Sequence, residues 1–187
     1  MAFNISQFRS NLRFDGARPN LFEVGLTFPN TVLGGTTSGQ QALFMAKAAQ
    51  LPGSTLGTVS MNYFGRELKF AGNRTFADWT ITVINDEDFG IRNSLENWMN
   101  LINSHTSNVR AASSNTPLGY TTNSVVTQYG KDTSIIKKYN FVGIFPVDLS
   151  PIELEWGSND SIEEYSVTFA YQYWEDVPVG GTTGTTS

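Results

Sequence analysis

The sequence predicts a mainly β protein, an antiparallel β-sandwich or partly closed barrel with one flanking α-helix and a long protruding β-ribbon. Several segments alternate apolar and polar residues with the period of two that is typical of half-buried strands. One segment, 87–103, carries apolar residues at helical spacing instead. The chain has 187 residues, of which 40% are hydrophobic and thirteen are Phe, so it is long enough and apolar enough to bury one core.

A short helix or arm is predicted at the N-terminus. Ile5, Phe8 and Leu12 lie on one face of a helix that Asn4 would cap. We treat residues 1–16 as this arm.

One domain is predicted to follow, over residues 17–176, with a flexible Gly/Thr tail at 177–187. Alternation over 22–28 predicts its first strand. The Gly- and Thr-rich segment 30–41 predicts a loop. Residues 42–53 are predicted to form a strand that stops at a Leu-Pro-Gly sequence, because proline cannot donate to a sheet ladder.

Residues 54–70 predict a long β-ribbon that doubles back near Asn62 to Gly65. Its apolar residues are too many for a free hairpin, since an isolated two-stranded ribbon is marginal in water. The ribbon is therefore expected to lie on its own domain or on a neighbouring subunit. The residues predicted to form this contact surface are Leu56, Val59, Met61, Tyr63, Phe64 and Arg66.

The segment GNRTFADWTITVIND, residues 72–86, predicts a turn out of the ribbon and then a strand over 75–84. One side of this strand is apolar and is expected to face the core, and the other is polar. The apolar side holds Trp79, Ile81 and Val83, and the polar side holds Asp78, Thr80 and Thr82.

The helix is predicted over 87–103, followed by a long polar loop at 103–119. Acids at Asp86, Glu87 and Asp88 stand where the helix begins, which predicts that they cap its positive end. The apolar stripe of this helix consists of Ile91, Leu95, Trp98, Met99 and Ile102.

The last third of the chain is predicted to be β. A hairpin is expected around residues 130–132, followed by a Pro-bounded connection at 145–151. Apolar residues alternate with Glu153 and Glu155 over 152–156, and strand 162–173 has the strongest alternation in the chain. Because of their strand positions, Trp79 and Trp156 are both predicted to be core residues.

The sequence contains no pattern that supports catalysis or metal binding. His105 is the single histidine, and no nucleophile elbow accompanies it. Residues 85–88 lack the ligand spacing of a calcium loop, and Glu153 and Glu155 share one face of a predicted strand instead of flanking a cleft. The chain also has no cysteine. We therefore predict an interaction protein that is not an enzyme and that has no cofactor.

Charge and hydropathy argue against two further classes, namely proteins that grip nucleic acid and proteins that are secreted or inserted into a membrane. The net charge is −5 and no basic run occurs, so the chain is a poor candidate for gripping phosphates. The N-terminus has no long apolar run, which predicts neither a secretory signal nor stable membrane insertion. Folding in the cytoplasm is the resulting expectation.

Five segments together carry a family resemblance: ARPNLFEV (17–24), KAAQLPG (47–53), FAGNRTFADWTITVIND (70–86), YGKD (129–132) and FPVDLSPIELEWGSNDSIEEYSVTFAYQYWE (145–175). They occur in order and span most of residues 17–175. In these segments the chain resembles the tail tube proteins of T-even-type contractile-tailed bacteriophages.

The resemblance implies hexameric rings that stack into a hollow tube inside a contractile sheath, with DNA passing through the lumen without specific binding. It implies sheath, baseplate and tape-measure proteins as partners, and a place in the virion tail after assembly in the host cytoplasm. The ribbon would reach neighbouring subunits and the next ring. The residues that form a candidate lumen or assembly face are Asp78, Thr80, Thr82, Glu164, Ser166 and Thr168.

Two alternatives remain at this point. A tube-like baseplate or tail-completion protein of the same machine would share the fold but cap a tube instead of extending it. A carbohydrate-binding β-sandwich would use Trp79 or Trp156 as its platform. Loops 30–41 and 103–119 are not matched by the resemblance and are expected to face solvent.

Overall fold

The computed structural model describes residues 5–12 and 16–179. The Asn4 cap and residues 180–187 of the predicted tail lie outside this part of the chain. The described helices are α1 (Ile5–Asn11), α2 (Gly35–Met45), α3 (Gly90–Ile102) and α4 (Pro117–Tyr120), and the strands are β1 (Phe22–Gly25), β2 (Ala46–Ala49), β3 (Thr55–Tyr63), β4 (Arg66–Thr75), β5 (Trp79–Ile84), β6 (Thr122–Tyr129), β7 (Ile135–Leu149), β8 (Glu164–Ala170) and β9 (Tyr173–Asp176).

One antiparallel sheet accounts for seven of the described strands, in the order β1-β6-β7-β8-β5-β2 with β9 also paired to β7. The first half of β7 pairs with β6 and β9, and its second half pairs with β8. Gly143 lies where the pairing changes and has a φ of 67°, a conformation that glycine adopts without strain. The mainly β, antiparallel prediction is confirmed, and the described sheet does not close into a full barrel.

Aromatic side chains fill the core between the two halves of the sheet and the helices. Trp79 stacks on Phe141 with ring centroids 4.3 Å apart. Trp98 of α3 packs against Phe28 and Phe169 and donates its indole N–H to the Tyr120 carbonyl oxygen at 2.7 Å. The apolar side predicted for β5, namely Trp79, Ile81 and Val83, is fully buried as expected.

Helix α2 corrects the predicted loop at 30–41 and the start of the predicted strand at 42–53. Gly35 and Gly39 make the segment look like a loop, yet both are required by close packing. A Cβ at Gly35 would lie 2.7 Å from Phe28 Cβ, and one at Gly39 would lie 2.8 Å from the Leu26 carbonyl oxygen. The protein therefore has a second long helix, and the prediction of a single flanking helix is wrong.

The predicted acidic cap of α3 is also wrong. The helix begins at Gly90, and Phe89 at its N-cap has a φ of 53° and makes no capping side-chain hydrogen bond. Asp86 instead stabilises the preceding turn, where its carboxylate accepts from the Glu87 amide and its carbonyl oxygen accepts from the Phe89 amide. The buried stripe itself is confirmed at Ile91, Leu95 and Trp98.

Three predictions for the last third need correction. Strand β7 continues through the predicted connection at 145–151 as far as Leu149. The predicted strand 162–173 is two strands, β8 and β9, because the chain leaves the ladder of β8 after Ala170 and pairs with the other half of β7. Residues 152–156 form no strand, because the pairing of β7 with β8 ends at Leu149 and Val167 and the chain leaves the ladder there. The hairpin around 130–132 is confirmed.

The segment 103–119 is only partly the solvent loop that was predicted. It contains a 3₁₀ turn at Ala112–Ser114 and the start of α4. Ser114 is fully buried, and a Cβ at Gly119 would lie 2.4 Å from the Ser113 carbonyl oxygen. His105 is exposed, as predicted.

Tyr165 gives a pH-dependent prediction. Its ring is 2% exposed, no described group hydrogen-bonds its hydroxyl, and burial raises its pKa to about 12, against the opposing effect of the Arg92 guanidinium. Because folding raises its pKa, the Tyr165 hydroxyl contributes a stabilisation that is fully present below the unfolded pKa of 10.0. This contribution is lost as the pH rises through about 12. Denaturant unfolding should therefore show a loss of about 3 kcal/mol across this window.

The variant Tyr165→Phe is expected to remove this alkaline loss and to leave stability at pH 7 equal or higher, because it deletes a buried hydroxyl without a partner. Tyr63→Phe, on the exposed ribbon, serves as the control and should keep the loss. An alkaline loss of the same size in Tyr165→Phe would contradict the assignment.

Candidate functional site

The described part of the chain holds no cluster of potential metal ligands. Within residues 5–12 and 16–179, no three His, Cys, Asp or Glu side chains converge as metal ligands would. The described helices also include none with the length and apolar content needed to cross a membrane. The features that the fold leaves unexplained are exposed surfaces, and these form the candidate site.

The ribbon β3–β4 is the most conspicuous of these surfaces. It pairs with no other described strand, and every ribbon residue except Gly72 is exposed. The pairing register places directly opposed residues on the same face. Val59 opposes Phe70 and Met61 opposes Leu68, which makes one face apolar. The other face is polar and holds Thr58, Ser60, Asn62, Glu67 and Lys69.

The tip of the ribbon is strained and aromatic. Phe64 and Gly65 form the turn with φ values of 48° and 78°, the two positive angles of a type I′ hairpin. Positive φ is unfavourable for a bulky residue, and the Phe64 ring is 92% exposed, with Tyr63 in edge contact at 4.6 Å. The exposed Phe64 ring adds little to the stability of the single subunit, which indicates that it contacts another molecule.

The base of the ribbon is held by aromatic residues from the far end of the chain. The Trp174 indole N–H donates to the Gly53 carbonyl oxygen at 3.1 Å. Phe76 contacts the rings of Tyr171 and Trp174. No local sequence pattern marks these residues, because the Trp174 contact spans 121 positions.

Two backbone segments approach each other closely at the base of the ribbon, and the predicted turn at 72–75 is wrong. Residues 72–75 belong to β4, opposite a register shift between Leu56 and Thr58. A Cβ at Gly72 would lie 3.0 Å from the Gly57 carbonyl group. The glycine that looked like a turn residue is therefore a close-approach residue inside a strand.

The predicted polar face is assembled by β5 and β8. Thr80 and Thr168 are opposed, with their hydroxyl oxygens 3.1 Å apart, and Thr82 opposes Ser166. These four hydroxyl residues therefore share one surface, on the side of the sheet away from the core.

The two acids predicted for this face lie at its ends. Glu164 begins β8 and pairs with Lys47 at 2.5 Å. Asp78 precedes β5 and lies near Tyr171, whose pKa is raised by burial and, to a smaller extent, by the Asp78 charge. The structure thus brings the hydroxyl residues together and leaves the two acids at opposite margins.

A second exposed apolar surface lies in the loop 150–163, between β7 and β8. Leu154, Trp156 and Ile162 are all strongly exposed, and Trp156 is 102% exposed. The prediction of Trp156 as a core residue is therefore wrong. The loop borders an open cleft of about 790 Å³ that Glu153, Glu155 and Glu163 also line.

A family profile and individual sequence relatives both point to the same protein family. The profile of a family described as "Phage tail tube protein" matches residues 17–176. The chain is 32% identical over 162 residues to the tail tube protein gp19 of Enterobacteria phage T4, covering 86% of this chain and 92% of that protein. It is 28% identical over 169 residues to the tail tube protein of Serratia phage KSP90, covering 89% and 93%.

Solved structures share the fold at lower identity. A chain of an extracellular contractile injection system, a PVC sheath-tube complex in the extended state, aligns with a TM-score of 0.57 at 14% identity, covering 94% of this chain and all of that one. A chain of the anti-feeding prophage tube-terminating cap aligns with a TM-score of 0.61 at 13% identity, covering 86% and 90%.

Proposed function

The chain belongs to the phage tail tube protein family, and from this premise we propose that it is a structural subunit of a contractile tail, without catalytic activity, which builds the tube through its ribbon. The observation that carries the proposal is the amphipathic ribbon. Its apolar face is exposed in the single chain, and an isolated two-stranded ribbon gains little stability from its own contacts. A neighbouring subunit provides the burial that the fold does not.

Ring formation uses the open sheet. Strand β1 pairs only with β6, and β2 pairs only with β5, among the described strands. Unpaired edges invite pairing with another chain, and a closed ring of subunits removes them by joining neighbouring sheets into a larger barrel. Six subunits per ring is the number that the resemblance to T-even tail tubes implies.

The hydroxyl face of β5 and β8 is proposed to line the lumen. Thr80, Thr82, Ser166 and Thr168 offer no positive charge to hold a phosphate backbone. An overall charge of −5 would further oppose sticking. DNA would then move through the tube without specific binding during ejection.

The remaining partners follow from this place in the virion tail. A sheath surrounds the tube, a baseplate begins it and a tape-measure protein sets its length, with assembly in the host cytoplasm. The alternative of a carbohydrate-binding module loses one of its two platforms, because Trp79 is buried in the core.

Electron microscopy with light scattering tests the function. The purified full chain should form rings or open-ended tubes whose length grows with protein concentration. A capping or tail-completion protein would instead give rings that do not elongate. A strictly monomeric species at high concentration in every salt condition would contradict the proposal.

A further inference from the structure

The ribbon and the loop 150–163 leave opposite ends of the same strand pair. The ribbon enters β5 near Trp79, and the loop enters β8 at Glu164. In the antiparallel ladder Trp79 opposes Phe169, and Ile84 opposes Glu164. The base of the ribbon and the end of the loop are therefore attached at opposite ends of a six-residue strand, roughly 20 Å apart.

The loop is both apolar and acidic. Leu154, Trp156 and Ile162 are exposed although nothing in the fold requires them to be. The loop holds four acids and no Lys or Arg. One acid, Glu163, accepts a hydrogen bond from the Asn85 side chain at 2.9 Å, which fixes the end of the loop to the sheet. The acids are Glu153, Glu155, Asp160 and Glu163.

The ribbon is its complement in both respects. It presents an apolar face and an exposed aromatic tip at Phe64. Its charged residues are three basic ones, Arg66, Lys69 and Arg74, against the single acid Glu67. Opposite charges around an apolar centre fix the register of an interface and disfavour wrong partners.

We propose that the loop 150–163 is the docking surface for the ribbon of a second copy of this chain in the adjacent ring. The inference rests on the proposed function and adds the acceptor surface to it. Contact between opposite ends of identical subunits is heterologous, and between stacked rings such a contact stays open and propagates along one axis. Leu154, Trp156 and Ile162 would cover the apolar face and tip of the incoming ribbon, with the acids facing Arg66, which opposes Tyr63 on that same face.

Charge exchange tests the electrostatic part. The loop variant Glu153→Lys/Glu155→Lys and the ribbon variant Arg66→Glu should each reduce tube yield by about tenfold or more, because like charges then meet. The three substitutions combined should restore tubes. Glu153→Asp/Glu155→Asp keeps the charge and should assemble normally. Failure of the combined variant to assemble, while it remains folded by circular dichroism, would count against the pairing.

Disulfide trapping tests the contact directly, since the chain has no cysteine of its own. Phe64→Cys/Trp156→Cys tubes, once oxidised, should give a ladder of covalent multimers that reductant removes. Phe64→Cys/Leu118→Cys is the control, because Leu118 is equally exposed outside the loop; it should give no ladder.

The two levels of the proposal fail differently. Normal tubes with no ladder and no effect of the loop charges would overturn the docking surface and leave the tube function standing. Absence of tubes from the unsubstituted protein would overturn the tube function itself.

Discussion

Replacing Val59 and Met61 by Asp should leave a folded subunit that no longer stacks into tubes. Both side chains are more than half exposed on the apolar face of the ribbon. In the single chain each change is therefore expected to alter stability by no more than about 0.5 kcal/mol. In a tube the same positions would bury unpaired carboxylates, which is strongly unfavourable. Circular dichroism should report a native spectrum, and electron microscopy should find no tubes.

The matched control lies on the same strand. Ser60→Asp/Asn62→Asp adds the same charge to the polar face of the ribbon and should still assemble. If both double variants fail to form tubes, the added charge alone explains the loss and the apolar face is not the interface. Tubes of normal yield from Val59→Asp/Met61→Asp would contradict the role of the ribbon outright.

Trp98→Ala is expected to be the most destabilising substitution of a single residue discussed for this chain. The side chain is 0% exposed, packs against Phe28 and Phe169, and donates a hydrogen bond to the Tyr120 carbonyl oxygen. Its removal leaves a cavity and an acceptor without its donor. The expected loss in free energy of unfolding is about 3–5 kcal/mol.

Trp156→Ala is the control for Trp98→Ala, because the same residue type is fully exposed there. It should change the stability of the single subunit by no more than about 0.5 kcal/mol. Urea unfolding is best measured in the Val59→Asp/Met61→Asp background, since assembly would otherwise make the apparent stability depend on concentration. Equal losses for both tryptophans would contradict the assignment of Trp98 to the core.

The sequence predicts those parts of the fold in which periodicity and burial agree. Strand β5 alternates cleanly because one side of it faces the core, and α3 shows its stripe because one face packs on the sheet. Helix α2 escapes prediction because Gly35 and Gly39 lower helix propensity locally while close packing requires them. Tertiary contact overrides propensity at these two positions.

Alternation also predicts strands where none exist. Residues 152–156 alternate as a strand does, but the chain leaves the β7–β8 ladder after Leu149 and these residues pair with no described strand, and Trp156 is exposed instead of buried. Whether a segment pairs as a strand depends on the whole sheet and cannot be read from five residues. The exposed ribbon was foreseeable for the opposite reason, since its apolar content exceeds what a hairpin buries. The contact that Trp174 makes with the base of the ribbon was not foreseeable, because it joins residues 121 positions apart.

A cryo-electron microscopy reconstruction of the assembled particle tests the central claim most directly. The account predicts stacked six-fold rings in which each ribbon crosses to the adjacent ring, with Val59 and Met61 buried and the hydroxyl residues Thr80 and Thr168 facing the lumen. A tube whose ribbons remain in solvent, with rings joined through other surfaces, would contradict it.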